Sequence, residues 1–225
     1  VEIKPHELRN LPEIAKRVEE VRNFRLKSKA LTTRKFADFP TLFRQIAQPR
    51  SAFIVIPGHT SETRRYIPIA YFLPNYIVSN ACFVLPNTTP FHFGVLCSEM
   101  HMAWVRQVCG RLKSDFRYSK DIVYNNYPWP EGPSDNQREA VAEATQAVLD
   151  ARQGFPGATL ADLYDPLAMP PALVRAHADL DRAVDLCYRS QPFESDRQRV
   201  EYLFSLYEKL NLPLLPAAKK GRRKR

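Results

Sequence analysis

The apolar positions switch between helical and strand-like spacing along the chain. Leu11, Ile14, Val18 and Val21 recur at steps of three and four among Glu, Lys and Arg, which predicts an amphipathic helix from Leu11 to Ser28 with a mostly basic polar face. Thr33 to Pro49 holds a second short helical piece, with Leu42, Phe43 and Ile46 apolar between Pro40 and Pro49. Four short runs come next: Phe53 to Ile56, Tyr66 to Phe72, Tyr76 to Val78, and Ala81 to Leu85. They are rich in β-branched and aromatic residues and are separated by Pro, Gly, Asn and Ser, which predicts an antiparallel or mixed sheet. Pro68 inside the second run places that strand at an edge or a bulge. From Phe91 to Val108 the spacing is helical again, with Leu96, Met100, Ala103, Trp104 and Val108 on one face and Gly110 as its stop. Ile122-Val123-Tyr124 reads as a last short strand, and the run from Tyr127 to Pro133 is too proline-rich to continue any element.

Beyond that run every element reads as helix. Ser134 with Gln137 forms a capping box ahead of Ala140, Val141, Ala144, Ala147 and Val148, and Ser195 with Gln198 repeats it ahead of Val200, Leu203, Phe204 and Tyr207. Between them Pro170 and Pro171 can start a helix in which Leu173, His177, Leu180 and Val184 share a face. The predicted fold class is therefore α+β: a domain with a mixed or antiparallel sheet, then a small all-helical C-terminal domain. The boundaries implied are a connector helix over 1–29, the sheet domain over 30–130, the helical domain over 131–214 and a basic, solvated tail over 215–225.

Charge sharpens this division. The 225 residues carry 33 Lys and Arg against 24 Asp and Glu, a formal net charge of +9. Residues 1–130 hold 19 basic and 10 acidic side chains, residues 131–218 hold 8 and 14, and the last seven residues add 6 basic ones. A polyanion is drawn to locally clustered positive charge, so a phosphate-bearing partner is expected on the first region and not on the acidic helices. Without an apolar run near the roughly 18 residues that a span needs, a membrane is not expected. Cys82, Cys97, Cys109 and Cys187 show no CxxC spacing, so neither a zinc site nor a disulfide framework is indicated, and a reducing, cytoplasmic setting fits. His177 reads as a core histidine, since no second His or Cys sits at metal spacing. The start Val1-Glu2-Ile3-Lys4 shows neither an initiator Met nor a signal peptide and reads as a piece cut from something longer.

Catalytic signatures are missing. The seven glycines form no GxG, GxGxxG or GxxxxGK turn of the kind that lets backbone approach a nucleotide or S-adenosylmethionine. Asn125-Asn126-Tyr127-Pro128-Trp129 lacks the Pro-Pro of an adenine-methyltransferase loop and reads as a structural turn. No catalytic, cofactor-binding or metal-binding residue is therefore expected in this chain. The informative stretch is Gly110 to Lys120, where Lys113, Asp115 and Arg117 alternate at two-residue steps, so that an extended backbone would aim all three to one side. In a major groove Lys or Arg donates to guanine O6 and N7 while Asp accepts from cytosine N4, so Lys113 and Asp115 together suit one G·C pair. A solvated loop with an internal Lys–Asp ion pair fits the same spacing.

The strings SKALTTRKFADFPTLFRQI, FHFGVLCSEMHMAWVRQVCGRLKSDFRYSKDIVYNNYPWP and LADLYDPLAMPPALVRAHADLDRAVDLCYR resemble the C-terminal part of MmeI-like DNA methyltransferases, over nearly the whole chain except the basic tail. The resemblance implies a target recognition domain and a short helical C-terminal domain of a single-chain restriction–modification enzyme. Its adenine-N6 methyltransferase domain would lie elsewhere in the same parent chain, and S-adenosylmethionine would serve that parent enzyme. It also implies that Lys113 and Asp115 read one base pair of double-stranded DNA, and that Arg117 with a residue near Ala81 reads a second. Ser114, Arg111, Arg64 and Arg65 join them as possible phosphate or base contacts on charge and location alone. Two other readings stay open: a degenerate methyltransferase in its own right, and a stand-alone specificity subunit whose helices dock a separate methyltransferase.

Overall fold

A computed structural model describes residues 5–8, 10–43 and 47–212, and the chain falls into two compact units that divide between residues 48 and 49. The first unit is helical, with α1 over Pro5–Leu8, α2 over Pro12–Leu26, α3 over Leu31–Lys35 and a 3-10 turn over Phe36–Asp38. Pro12 opens α2 where its missing N–H costs nothing. No α2 residue is buried, and Leu11, Ile14 and Val21 of the predicted apolar row stay exposed. Arg25 ties α2 to the segment after α3 by donating to the Phe36, Phe39 and Leu42 carbonyls at 3.2, 2.7 and 2.8 Å. The second helical piece lies earlier than expected: Leu42 and Phe43 are exposed and not helical, and Ile46 falls outside the described residues.

The second unit opens with β1 (Phe53–Pro57), β2 (His59–Thr60), β3 (Ala70–Phe72) and β4 (Cys82–Leu85). β1 runs between β3 and β4, antiparallel to both, with Val55 opposite Ala70 on one side and Val84 on the other. Ile54 and Ile56 point into the main core while Phe53 and Val55 pack with Ala70 on the opposite face. Tyr66, Ile67 and Ile69 are buried but make no strand, because Pro68 has no N–H to give and Ile69 N–H turns back to the Ile67 carbonyl at 2.8 Å. Tyr76 to Val78 is not a strand either.

The helix expected over Phe91 to Val108 is two: α4 (Pro90–Cys97) and α5 (Glu99–Val108), broken at an extended Ser98. The break is supported from a distant element, since the Glu99 N–H donates to Asp181 at 2.8 Å. Gly110 does not cap α5. Cys109 leaves the helix in an extended conformation and Gly110 opens β5 (Gly110–Leu112), which pairs with β6 (Asp115–Arg117) and through it with β2. Ile122 to Tyr124 belongs to a π-helical turn over Lys120–Tyr124 and not to a strand, held by Ser119 Oγ at its start and by Trp104 Nε1–H on the Val123 carbonyl at 3.1 Å.

The C-terminal region is helical as predicted, with α6 (Asp135–Gln153), α7 (Leu160–Leu163), α8 (Pro171–Tyr188) and α9 (Asp196–Asn211). The Ser134–Gln137 capping box forms. At Ser195 only half of it does: Ser195 Oγ accepts from the Gln198 N–H, but the Gln198 side chain takes the Glu194 N–H instead. Leu173, His177, Leu180 and Val184 are buried along α8, as their spacing predicts. On α6 the buried face is Val141, Thr145 and Val148, while Ala140 and Ala147 are exposed. One core joins sheet and helices in this unit, from Ile54 and Ile56 through Trp104 to Leu180 and Leu203. The proline-rich run is packed against it, with Tyr188 OH donating toward Tyr127 OH and the Pro128 carbonyl at 2.7 and 3.1 Å.

Candidate nucleic-acid interface

The stretch from Gly110 to Arg117 is a tight hairpin. Leu112 pairs with Asp115, so Lys113 and Ser114 alone make the turn, and Lys113 takes a positive φ of 56°. A two-residue hairpin turn asks for such a backbone at its first position because its twist then matches the strands. The expectation that Lys113, Asp115 and Arg117 line one side of a single extended run is thus corrected. Asp115 and Arg117 do share the outward face of β6, with Phe116 between them buried in the core, while Lys113 stands on the turn where the chain reverses. No Lys113–Asp115 ion pair is found among the described residues.

Three strands' worth of backbone bring Ala81 to this hairpin. Gly58 donates its N–H to the Ala81 carbonyl at 2.9 Å and accepts from the Tyr118 N–H at 2.9 Å. A Cβ on Gly58 would sit 2.7 Å from the Ala81 oxygen, so a glycine is needed for that approach. Exposed Ala81 and exposed Arg117, the neighbour of Tyr118, are therefore about two strand spacings apart, roughly 10 Å. Behind Arg117, His101 fixes Tyr118. Its Nδ1–H is committed to the Leu96 carbonyl at 2.8 Å, which leaves Nε2 to accept from Tyr118 OH at 3.1 Å. Burial holds the His101 pKa down at about 4 and raises that of Tyr118, so both are neutral.

The other predicted contacts separate. Arg111 lies over the Phe116 ring at 4.0 Å and bonds across the turn to the Ser114 carbonyl at 2.7 Å and to Glu62 at 3.2 Å. Ser114 is exposed beside Lys113. Arg64 reaches the Ala161 carbonyl at 3.3 Å, and Arg65 pairs with Glu99 at 3.3 Å and Asp181 at 3.8 Å, so both point into protein partners. Lys120, which spacing did not single out, lines a cavity of about 440 Å³ together with Arg111, Arg117, Ser119, Phe83 and Tyr118. Within the described residues Lys113, Arg117 and Lys120 have no carboxylate partner, which leaves three cations on this edge. No cluster of three or more metal-ligating side chains lies among the described residues, and none of their helices is long and apolar enough to cross a membrane.

Residues 1–131 match the family model described as the MmeI target recognition domain, and residues 133–215 match that of the MmeI C-terminal domain. DNA methyltransferase A of Bacillus subtilis (strain 168) is 39% identical over 209 residues, which cover 93% of this chain and 24% of that protein. The solved structure of the Type IIL restriction-modification enzyme MmeI in complex with DNA superposes with a TM-score of 0.84 at 42% identity, covering 92% of this chain and 28% of that one. This chain thus spans about a quarter of the length of these relatives. A more distant likeness, 25% identical over 189 residues and 80% of this chain, falls on 7% of nuclear receptor corepressor 1 of Xenopus tropicalis, too small a share for that name to bear on this chain.

Proposed function

This chain belongs to the MmeI target recognition domain family, continued by the MmeI C-terminal domain, and from that premise we propose that it reads the sequence of duplex DNA for an adenine-N6 methyltransferase of a restriction–modification system. The observation that carries this is the β5–β6 hairpin, with Lys113 at its tip and Asp115 and Arg117 on its outward face. A hairpin of this width fits the major groove. There the Lys113 ammonium donates to guanine O6 or N7, and Asp115 accepts from the N4 amino group of the paired cytosine. Arg117 donates to a second pair, with the small Ala81 side chain beside it. Lys120 faces the phosphates and sets register without reading sequence.

The division of labour runs along the chain. Residues 1–29 act as a connector, 30–130 as the recognition domain and 131–214 as an acidic helical scaffold, while the tail 215–225 lies outside the described residues. Methyl transfer belongs to a methyltransferase domain of the same parent chain, which takes an adenine out of the stack while the hairpin holds the site. S-adenosylmethionine would supply the methyl group there. The described glycines form no glycine-rich turn from strand to helix, so these residues do not fit that cofactor.

Base reading is tested in the enzyme that carries this chain by mapping methylated sites on genomic DNA for wild type and for Lys113→Glu with Asp115→Arg. The expected outcome is a motif changed at one base pair with activity retained, each bidentate contact contributing about 1–3 kcal/mol of discrimination. An unchanged motif would remove Lys113 and Asp115 from the reading surface.

A further inference from the structure

Asp115 does not stand alone on the hairpin. Its Oδ1 accepts the backbone N–H of Glu62 at 3.3 Å, although the two residues are 53 apart in the chain. Glu62 lies just after β2 and sits at the second position of the turn Ser61 to Arg64, closed by the Arg64 N–H on the Ser61 carbonyl at 3.3 Å. Its carboxylate takes Arg111 Nη1 at 3.2 Å, and the same Arg111 nitrogen donates to the Ser114 carbonyl at 2.7 Å. One residue therefore holds the base-reading carboxylate through its main chain and the turn beside Lys113 through its side chain. The turn is itself anchored on the far side, where Arg106 donates to the Arg65 carbonyl at 3.1 Å and Arg65 pairs with Glu99.

We infer that Glu62 is a positioning residue for base recognition: it fixes Asp115 with one oxygen engaged and one free, and braces the Lys113–Ser114 turn through Arg111. The inference rests on the reading of Lys113 and Asp115 as base contacts. Stability alone gives Glu62 little to do, because the Glu62 and Arg111 side chains are 46% and 41% exposed and an ion pair that open to water contributes little. Its use is orientational. A carboxylate free to rotate accepts from cytosine N4 less selectively, whereas a preset one penalises any base pair that lacks a donor at that place.

Proline is well suited to the second position of a turn and has no N–H, so Glu62→Pro removes the donor to Asp115 while keeping the local backbone. In the enzyme that carries this chain, Glu62→Pro should raise methylation at sites wrong at the Lys113/Asp115 base pair about tenfold relative to correct sites, with the other positions of the motif unchanged. Glu62→Gln keeps the N–H and an acceptor for Arg111 and should retain wild-type selectivity. Glu62→Ala and Arg111→Gln, which leave the turn backbone alone, should each relax the same base pair about threefold, and they decide the matter if the proline variant does not fold. Equal loss of methylation at correct and wrong sites in these variants, or no change of selectivity in any of them, overturns the inference. If Lys113→Glu with Asp115→Arg leaves the motif unchanged, the base-reading assignment falls and the inference falls with it, whereas a changed motif beside indifferent Glu62 variants removes the inference alone.

Discussion

Lys113 occupies a backbone position that its side chain does not favour. At a φ of 56° its Cβ crowds its own peptide, at a cost of about 1 kcal/mol that glycine avoids. A hairpin selected only for stability would place Gly there, so the lysine is retained for what its ammonium does at the turn. Lys113→Gly should therefore make this chain more stable by about 1 kcal/mol, a rise of roughly 2–4 °C in melting temperature for a domain of this size, and on the proposed function it should abolish discrimination at one base pair. Thermal unfolding monitored by circular dichroism checks the first half. A melting temperature that falls would mean that Lys113 holds the turn by its own packing, and the functional reason for its presence would be lost. Asp115 and Arg117 are under no such backbone tension, because β6 sets them outward by simple alternation around the buried Phe116.

Alternation and helical spacing are local signals, and they read well wherever local forces decide. The α8 face of Leu173, His177, Leu180 and Val184, the Ser134 cap and the β1 strand all came from the residues themselves. They failed where a distant partner decides. Ser98 breaks a helix that its own sequence would continue, because Asp181 on α8 takes the Glu99 N–H. Ile122 to Tyr124 has strand-like residues but coils into a π-helical turn because Trp104 donates to the Val123 carbonyl. At the β5–β6 hairpin, spacing and family resemblance singled out Asp115 and Arg117, but Glu62 carried no signal, since its tie to Asp115 exists only once β2 pairs with β6. The close approach of α4 to α6 is likewise a matter of distant partners. α4 comes so close that a Cβ on Gly94 would lie 2.8 Å from Val141 and 3.1 Å from Leu180, and closer still to Thr145 Oγ1, which itself donates to the Pro90 carbonyl at 3.1 Å. Gly94→Ala should thus push α4 off α6 and α8 and destabilise the fold by about 1–3 kcal/mol, read as a lower urea midpoint. An unchanged midpoint would show that α4 can shift freely, against the close packing described.

Over the whole molecule, two buried histidines oppose the buried carboxyls of Asp181 and Asp185, both held above the usual carboxylate range by burial, as the pH falls. His101 and His177 are fully buried and neutral. Burial lowers the His101 pKa to about 4, and burial with the fields of Arg152 and Arg65 lowers that of His177 to about 3. The unfolded chain protonates both near pH 6.5 and the folded chain does not, so stability is lost as pH drops below about 6.5, on the order of 2 kcal/mol per histidine by pH 5. Asp181 acts the other way. Burial raises its pKa to about 6 despite bonds from Tyr66 and the Glu99 N–H, so the folded chain takes up its proton first and regains about 1 kcal/mol over the same interval. The balance is a net loss on acidification. Charge repulsion in a chain of formal charge +9 also grows with acid, but salt screens it and does not touch a burial term. Urea unfolding at pH 7 and pH 5 in high salt should accordingly show a lower midpoint at pH 5 in wild type. His177→Gln, which cannot titrate, should lose only about a third as much stability over that interval, whatever its stability at pH 7. If the variant and wild type lose equally, His177 gains a proton in the folded state, and a neutral imidazole stacked on Tyr66 at 4.0 Å and met edge-on by Tyr164 at 5.4 Å is wrong.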